Sequence, residues 1–137
     1  MVEDIQIIRA MEKLLEELAK EFNIPPPILE VYPILELWKI CGDIVADACF
    51  DSTTRSIVFN SSYIDEDLID VIVEKLLHEF IHYYQFVRAG YDEEKAFPSE
   101  EMKKAHCRRS FEKEAKQFVR RNFRKYFKRF KVLLKGA

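Results

Sequence analysis

The sequence predicts an α+β domain: an N-terminal helix, a small antiparallel or mixed sheet of about three strands, and two further helices. Two periodicities carry this reading. Apolar residues recur every three or four positions over residues 3–22, about 65–89 and past 118 to about 134, the period of a helix with one buried face. Between 28 and 60 the chain instead shows strand formers and period-two alternation, punctuated by proline and glycine. At 137 residues, the chain is the size of a single domain (1–137) able to bury a core.

The first helix rests on the stripe Ile5, Ile8, Met11, Leu15, Leu18 and Phe22. Asn23 and the run Pro25-Pro26-Pro27 end it, because proline cannot continue a helix. Ile28–Trp38 favours a strand, but Pro33 limits it to an edge strand or two short pieces. Gly42-Asp43 is a turn signal. In the following stretch Ile44, Ala46, Ala48 and Phe50 alternate with Val45, Asp47, Cys49 and Asp51. Asp51–Thr54 reads as a hairpin turn and Arg55–Asn60 as the returning strand.

Asp65 or Asp67 is placed to cap the next helix, which runs to about Ala89 with Gly90 closing it. Ile69, Val73, Leu76, Phe80, Tyr83 and Val87 form one stripe, and Lys75, His78, His82 and Gln85 a second, polar one. Apolar over most of its surface, this helix belongs at the centre of the fold. After a charged loop at 91–98, Ser99 can cap a last helix whose N-terminal end is favoured by Glu100 and Glu101. Its later part carries Val119, Phe123, Tyr126, Phe130 and Leu133 at coiled-coil-like spacing.

Hydrophobic residues make up 48% of the chain and charged residues 34%. That balance is globular rather than disordered. No apolar run approaches the ~18–20 residues of a membrane span. The acidic start lacks the layout of a signal peptide, so the expected location is cytoplasmic. Three cysteines, Cys41, Cys49 and Cys107, lack CxxC spacing. They predict reduced, mostly buried thiols rather than a disulfide framework.

Net charge is −2, but residues 1–102 carry 8 Lys/Arg against 22 Asp/Glu, and residues 103–137 carry 14 against 2. A solvated basic face complementing the acidic region is the favoured reading. Nucleic-acid binding is less favoured, because the acidic region would repel phosphate. Amphipathic helices at both ends also suit a homo-oligomer or a membrane-surface contact.

The chemistry concentrates at His78-Glu79-Phe80-Ile81-His82, an HExxH pattern. Two histidines four apart lie on one helix face, one turn apart, and can meet on one zinc ion. Glu79, beside them without ligating, is placed to take a proton from water activated by that ion. A catalytic zinc wants a third protein ligand and one open position. Residues 83–88 offer no nearby histidine, and His106 is isolated, so a glutamate on the following helix is the other common solution.

Phe111-Glu112-Lys113-Glu114-Ala115-Lys116-Gln117-Phe118 offers one. Here the chain resembles the gluzincins, zinc peptidases whose glutamate helix often reads Glu-x-x-Ala-Asp/Asn-x-Phe. Glu112, Ala115 and Phe118 match, which implies Glu112 as third ligand, with Glu114 as the alternative. Lys116 departs from the pattern: the acid usual there supports a histidine ligand, so that support must come from elsewhere. In size and element order the chain is most similar to the minigluzincins, soluble relatives of the catalytic domains of CAAX-prenyl-protease-type enzymes. SprT-like zinc peptidases, which act on DNA-bound proteins, are a further analogy.

The resemblance implies a zincin-like core at about 28–118 with a basic helical extension at about 119–135. It implies hydrolysis of a peptide or protein substrate, with one catalytic Zn2+ held by His78, His82 and Glu112 and Glu79 as the base. It also implies latency, with a chain segment in the cleft, and a substrate strand pairing with Arg55–Asn60. Tyr83, Tyr84, Tyr91, His106 and Arg109 are candidate oxyanion donors, and Cys107 a candidate thiol ligand. The alternative function is a zinc-stabilised, non-catalytic module whose basic C-terminal helix docks nucleic acid or a protein.

Overall fold

A computed structural model describes residues 2–33, 47–89 and 101–136, with side chains of the last segment described from Ser110 onward. The described elements are α1 (Asp4–Phe22), β1 (Ile28–Tyr32), β2 (Ala48–Asp51), β3 (Ser56–Asn60), α2 (Ile69–Ala89) and α3 (Glu101–Gly136). The α+β class, the small three-stranded sheet and the element order agree with the sequence reading. The expectations for 34–46, Gly90, the 91–98 loop and Ser99 lie outside the described residues.

A reciprocal box starts α1. In it the Glu3 backbone N–H donates to Gln6 Oε1 at 2.8 Å. Asn23 ends the helix in the left-handed conformation (φ 56°), and Ile24 and Asn23 return N–H groups to Ala19 and Lys20. Of the predicted stripe, Met11, Leu15 and Leu18 are in the core and Ile8 and Phe22 pack against it, but Ile7, Ala10 and Leu14 are buried too and Ile5 is 48% exposed. The cause is angular. On a helix, residues 7, 11, 14 and 18 share one narrow face, and Ile5 lies well round its flank.

The sheet order is β1-β3-β2, with β1 parallel and β2 antiparallel to β3. All five residues of β3 are buried. This corrects one expectation. The family resemblance places Arg55–Asn60 at the cleft as the strand that pairs with substrate, but β3 is the central strand, hydrogen-bonded on both sides. Among the described residues, the outer edges belong to β1 and β2.

Asp51 shapes the β2–β3 turn by accepting from Thr53 N at 3.0 Å, and Arg55 takes the left-handed conformation (φ 55°) before β3. Asp65 caps a short 3₁₀ turn, Glu66–Leu68, by accepting from Asp67 N at 2.8 Å, and α2 follows directly. Cys49 is disulfide-bonded, against the expectation of reduced thiols, and its partner's side chain lies outside the described residues. Cysteine spacing gave no sign of this, because pairing depends on which thiols the tertiary fold brings within reach.

The central helix α2 packs against α3, α1 and the sheet. Its Ile72, Val73, Leu76, Leu77, Phe80, Ile81 and Tyr83 are all at most 2% exposed. At 36 residues, α3 is about 54 Å long. Its Ala115, Tyr126, Phe130 and Leu134 join the same core, with Val119, Phe123 and Leu133 partly buried against it.

The charge asymmetry is partly spent inside the chain. Arg129 holds Glu17 through two hydrogen bonds of 2.8 and 2.7 Å, lowering the pKa of its carboxyl. Glu21 accepts from Tyr126 Oη at 2.7 Å and lies 3.7 Å from Lys125 Nζ. No described helix is long and apolar enough to cross a membrane.

Candidate metal centre

Helix geometry assembles the site. His78 and His82, one turn apart on α2, face α3 where Glu112 projects. His82 Nε2 lies 2.8 Å from Glu112 Oε1 and 3.1 Å from His78 Nε2, and His78 Nε2 lies 3.6 Å from Glu112 Oε2. The three residues offer ligand atoms within 4.8 Å of one another, a group that could hold a metal ion. The structure thus brings together three of the four predicted site residues. Glu79 follows His78 on α2 and is 9% exposed.

Burial within the site is graded. The His82 side chain is 6% exposed and that of His78 26%. Burial, reinforced by the neighbouring His82, pushes the His78 imidazole down to about 4, with Glu112 opposing the shift and Lys75 and Lys116 adding to it. His78 is therefore neutral near pH 7, the form a metal ligand requires. On its open side lies a cleft of about 240 Å³ lined by Glu74, Lys75, His78, Lys116 and Val119. Lys75 is 3.5 Å from Asp47, the residue before β2, so this cleft sits beside the β2 end of the sheet.

His82 is anchored from behind. Its Nδ1 is 2.9 Å from Gln85 Oε1. Fully buried, Gln85 also donates from Nε2 to Phe111 O at 2.8 Å and to Glu114 Oε1 at 2.9 Å. Glu114 thus faces Gln85, with Arg88 Nη2 at 3.4 Å, and lies outside the ligand cluster that contains Glu112. Sequence reasoning placed Gln85 on the polar stripe of α2 but gave it no role. The available signal was a polar side chain on a buried helix one turn past a ligand, which must find hydrogen-bond partners.

Of the candidate oxyanion donors, Tyr83 is 1% exposed and its hydroxyl donates to Pro25 O. Tyr84 packs edge-on against Phe22 and carries Arg88 over its ring, on the far side of α2 from His82. Neither points into the site. Tyr91 and the side chains of His106, Cys107 and Arg109 lie outside the described residues.

Two imidazole nitrogens and a carboxylate within 4.8 Å of one another are a group that could hold a metal ion. No protein-family model, curated protein or solved structure matches the chain.

Proposed function

We propose that this protein is a zinc-dependent peptidase of minimal gluzincin type. The carrying observation is the convergence of His78, His82 and Glu112 beside a cleft, with the HExxH glutamate on the same helix. The imidazole nitrogens lie 3.1 Å apart, and the separations to Glu112 are 2.8 Å from His82 to Oε1 and 3.6 Å from His78 to Oε2. They bracket the separation of roughly 3.3 Å that zinc bonds of about 2.0 Å impose in a tetrahedron. Two nitrogens and one oxygen form the donor set of catalytic zinc sites with one open position.

Zinc held there supplies Lewis acidity, lowering the pKa of water and polarising a carbonyl. Glu79 takes the proton of the attacking water and delivers one to the leaving amine. The graded exposure leaves the His78 side as the substrate's approach. With β3 paired on both sides, substrate strand addition moves to the outer edge of β2, which has no partner strand among the described residues.

Metal-free protein titrated with Zn2+ is expected to bind one equivalent. Glu112→Ala should weaken that binding by at least about 100-fold through loss of a ligand. Peptide hydrolysis should stop with a chelator and return with zinc. Failure to bind zinc at micromolar concentration, or hydrolysis that survives chelation, would sink the reading.

A second reading rests on α3. Arg120, Arg121, Arg124 and Lys128 are exposed on its solvated side and have no ion pair among the described residues, while Lys125 and Arg129 are taken up by α1. In this reading zinc stabilises a module that docks phosphates of nucleic acid. Binding to duplex DNA would fall steeply with salt and be lost on reversing charge at Arg120, Arg121 and Arg124. Absence of binding at low salt removes this reading.

A further inference from the structure

We propose that Gln85 and Glu114 are positioning residues for the metal centre: Glu114 orients the buried Gln85 amide, which fixes His82 with its proton on Nδ1 and its lone pair on Nε2. The inference rests on the metal-centre reading and names how the deepest ligand is held.

An amide side chain has one acceptor end and one donor end. The donor end of Gln85 faces two oxygens, Phe111 O at 2.8 Å and Glu114 Oε1 at 2.9 Å. Turning the amide over would set its oxygen against both. Gln85 is 0% exposed, so no bulk water could relieve the clash. Its oxygen must therefore face His82 Nδ1, at 2.9 Å. A carbonyl oxygen only accepts, so Nδ1 carries a proton, and in the neutral ring Nε2, which faces His78 and Glu112, is then the nitrogen left to ligate.

Glu114 sits at a junction. Arg88 Nη2 lies 3.4 Å from its Oε1, and the Arg88 guanidinium lies over the Tyr84 ring at 4.8 Å. The carboxylate is thereby balanced and aimed at Gln85. Glu112 and Glu114, two apart on α3, divide the work: the first faces the metal cluster and the second the amide behind it. This also accounts for Lys116. The acid that the gluzincin pattern leads one to expect at that position is absent, Lys116 lines the cleft beside His78, and support for a histidine comes from residues 85 and 114 instead.

Three variants test the pair, read by zinc affinity in chelator competition, by 15N NMR of the His82 ring in zinc-free protein, and by melting temperature. Gln85→Leu removes the acceptor and should weaken zinc binding by about 10–100-fold. Glu114→Lys demands the amide oxygen for itself, turns the amide over, and should shift the His82 proton from Nδ1 to Nε2 with a similar loss. The conservative variant Glu114→Gln keeps an amide oxygen that can accept from Gln85 Nε2, leaves the Phe111 O bond intact, and should stay within a few-fold of wild-type affinity with the Nδ1–H tautomer retained.

The proposal is overturned if Gln85→Leu or Glu114→Lys binds zinc as wild type does. It is also overturned if Glu114→Gln keeps its melting temperature but loses zinc affinity as Gln85→Leu does. Should wild-type protein bind no zinc, the metal-centre reading fails, while the His82 tautomer in wild type and in Glu114→Lys still decides whether the pair orients the ring.

Discussion

Glu79→Gln is expected to lower peptide hydrolysis by about 10²–10⁴-fold, the usual worth of a positioned general base, while zinc affinity stays within a few-fold of wild type. The separation of the two effects is what makes the variant informative. The ligand atoms belong to His78, His82 and Glu112, so replacing a carboxylate outside that set by an amide of the same size leaves the metal's partners intact. Glutamine cannot take a proton from water. Measured together, kcat/KM for a reporter peptide and zinc affinity by chelator competition decide the case. Full activity in Glu79→Gln removes this residue from the mechanism. Loss of activity and of zinc together would show that Glu79 supports the site's structure.

Much of the site was legible because helix geometry is local. A spacing of four puts His78 and His82 one turn apart on the same face whatever the tertiary fold, and the polar stripe through them marked the face turned towards α3. Glu112 needed more, a pattern match on a second helix, because nothing local in α2 says which carboxylate it will meet. The choice between Glu112 and Glu114 depends on the rotation of α3 against α2, a packing property absent from either helix's own periodicity. Rotation also explains the α1 face, where Ile7 and Leu14 are buried and Ile5 is not.

Strand order was least legible. Period-two alternation identifies strands but not their neighbours, so nothing in the strand itself opposed the substrate-pairing role that the resemblance implied for β3, which is the sheet's centre. Its composition held a clue in retrospect: Ser56–Asn60 is buried at every position, as befits a strand covered on both faces, and its run Ile57-Val58-Phe59 is continuous rather than alternating. The Cys49 disulfide was hidden for a related reason, since it depends on which thiol the chain brings near.

Phe80→Ala is expected to cost about 3–5 kcal/mol of folding stability, the range for a fully buried phenylalanine. Phe80 is 0% exposed and meets the Phe22 ring edge-on at 5.3 Å, with Tyr83 at 6.1 Å. It thereby ties the last turn of α1 to the turn of α2 that lies between the two histidines. Truncation removes apolar surface from the core and leaves a cavity at that junction, where Phe22 also contacts Tyr84 and Phe118. For a domain of this size the melting temperature should fall by roughly 10–20 °C. Val132 on α3 is 58% exposed. Val132→Ala is therefore the matched control and should change stability by less than about 0.5 kcal/mol. Urea unfolding of both variants measures the difference. A cost below about 1 kcal/mol for Phe80→Ala would refute the central position of α2. It would also undercut the site, because the facing of His78 and His82 towards Glu112 depends on how this apolar side of α2 is held against α1.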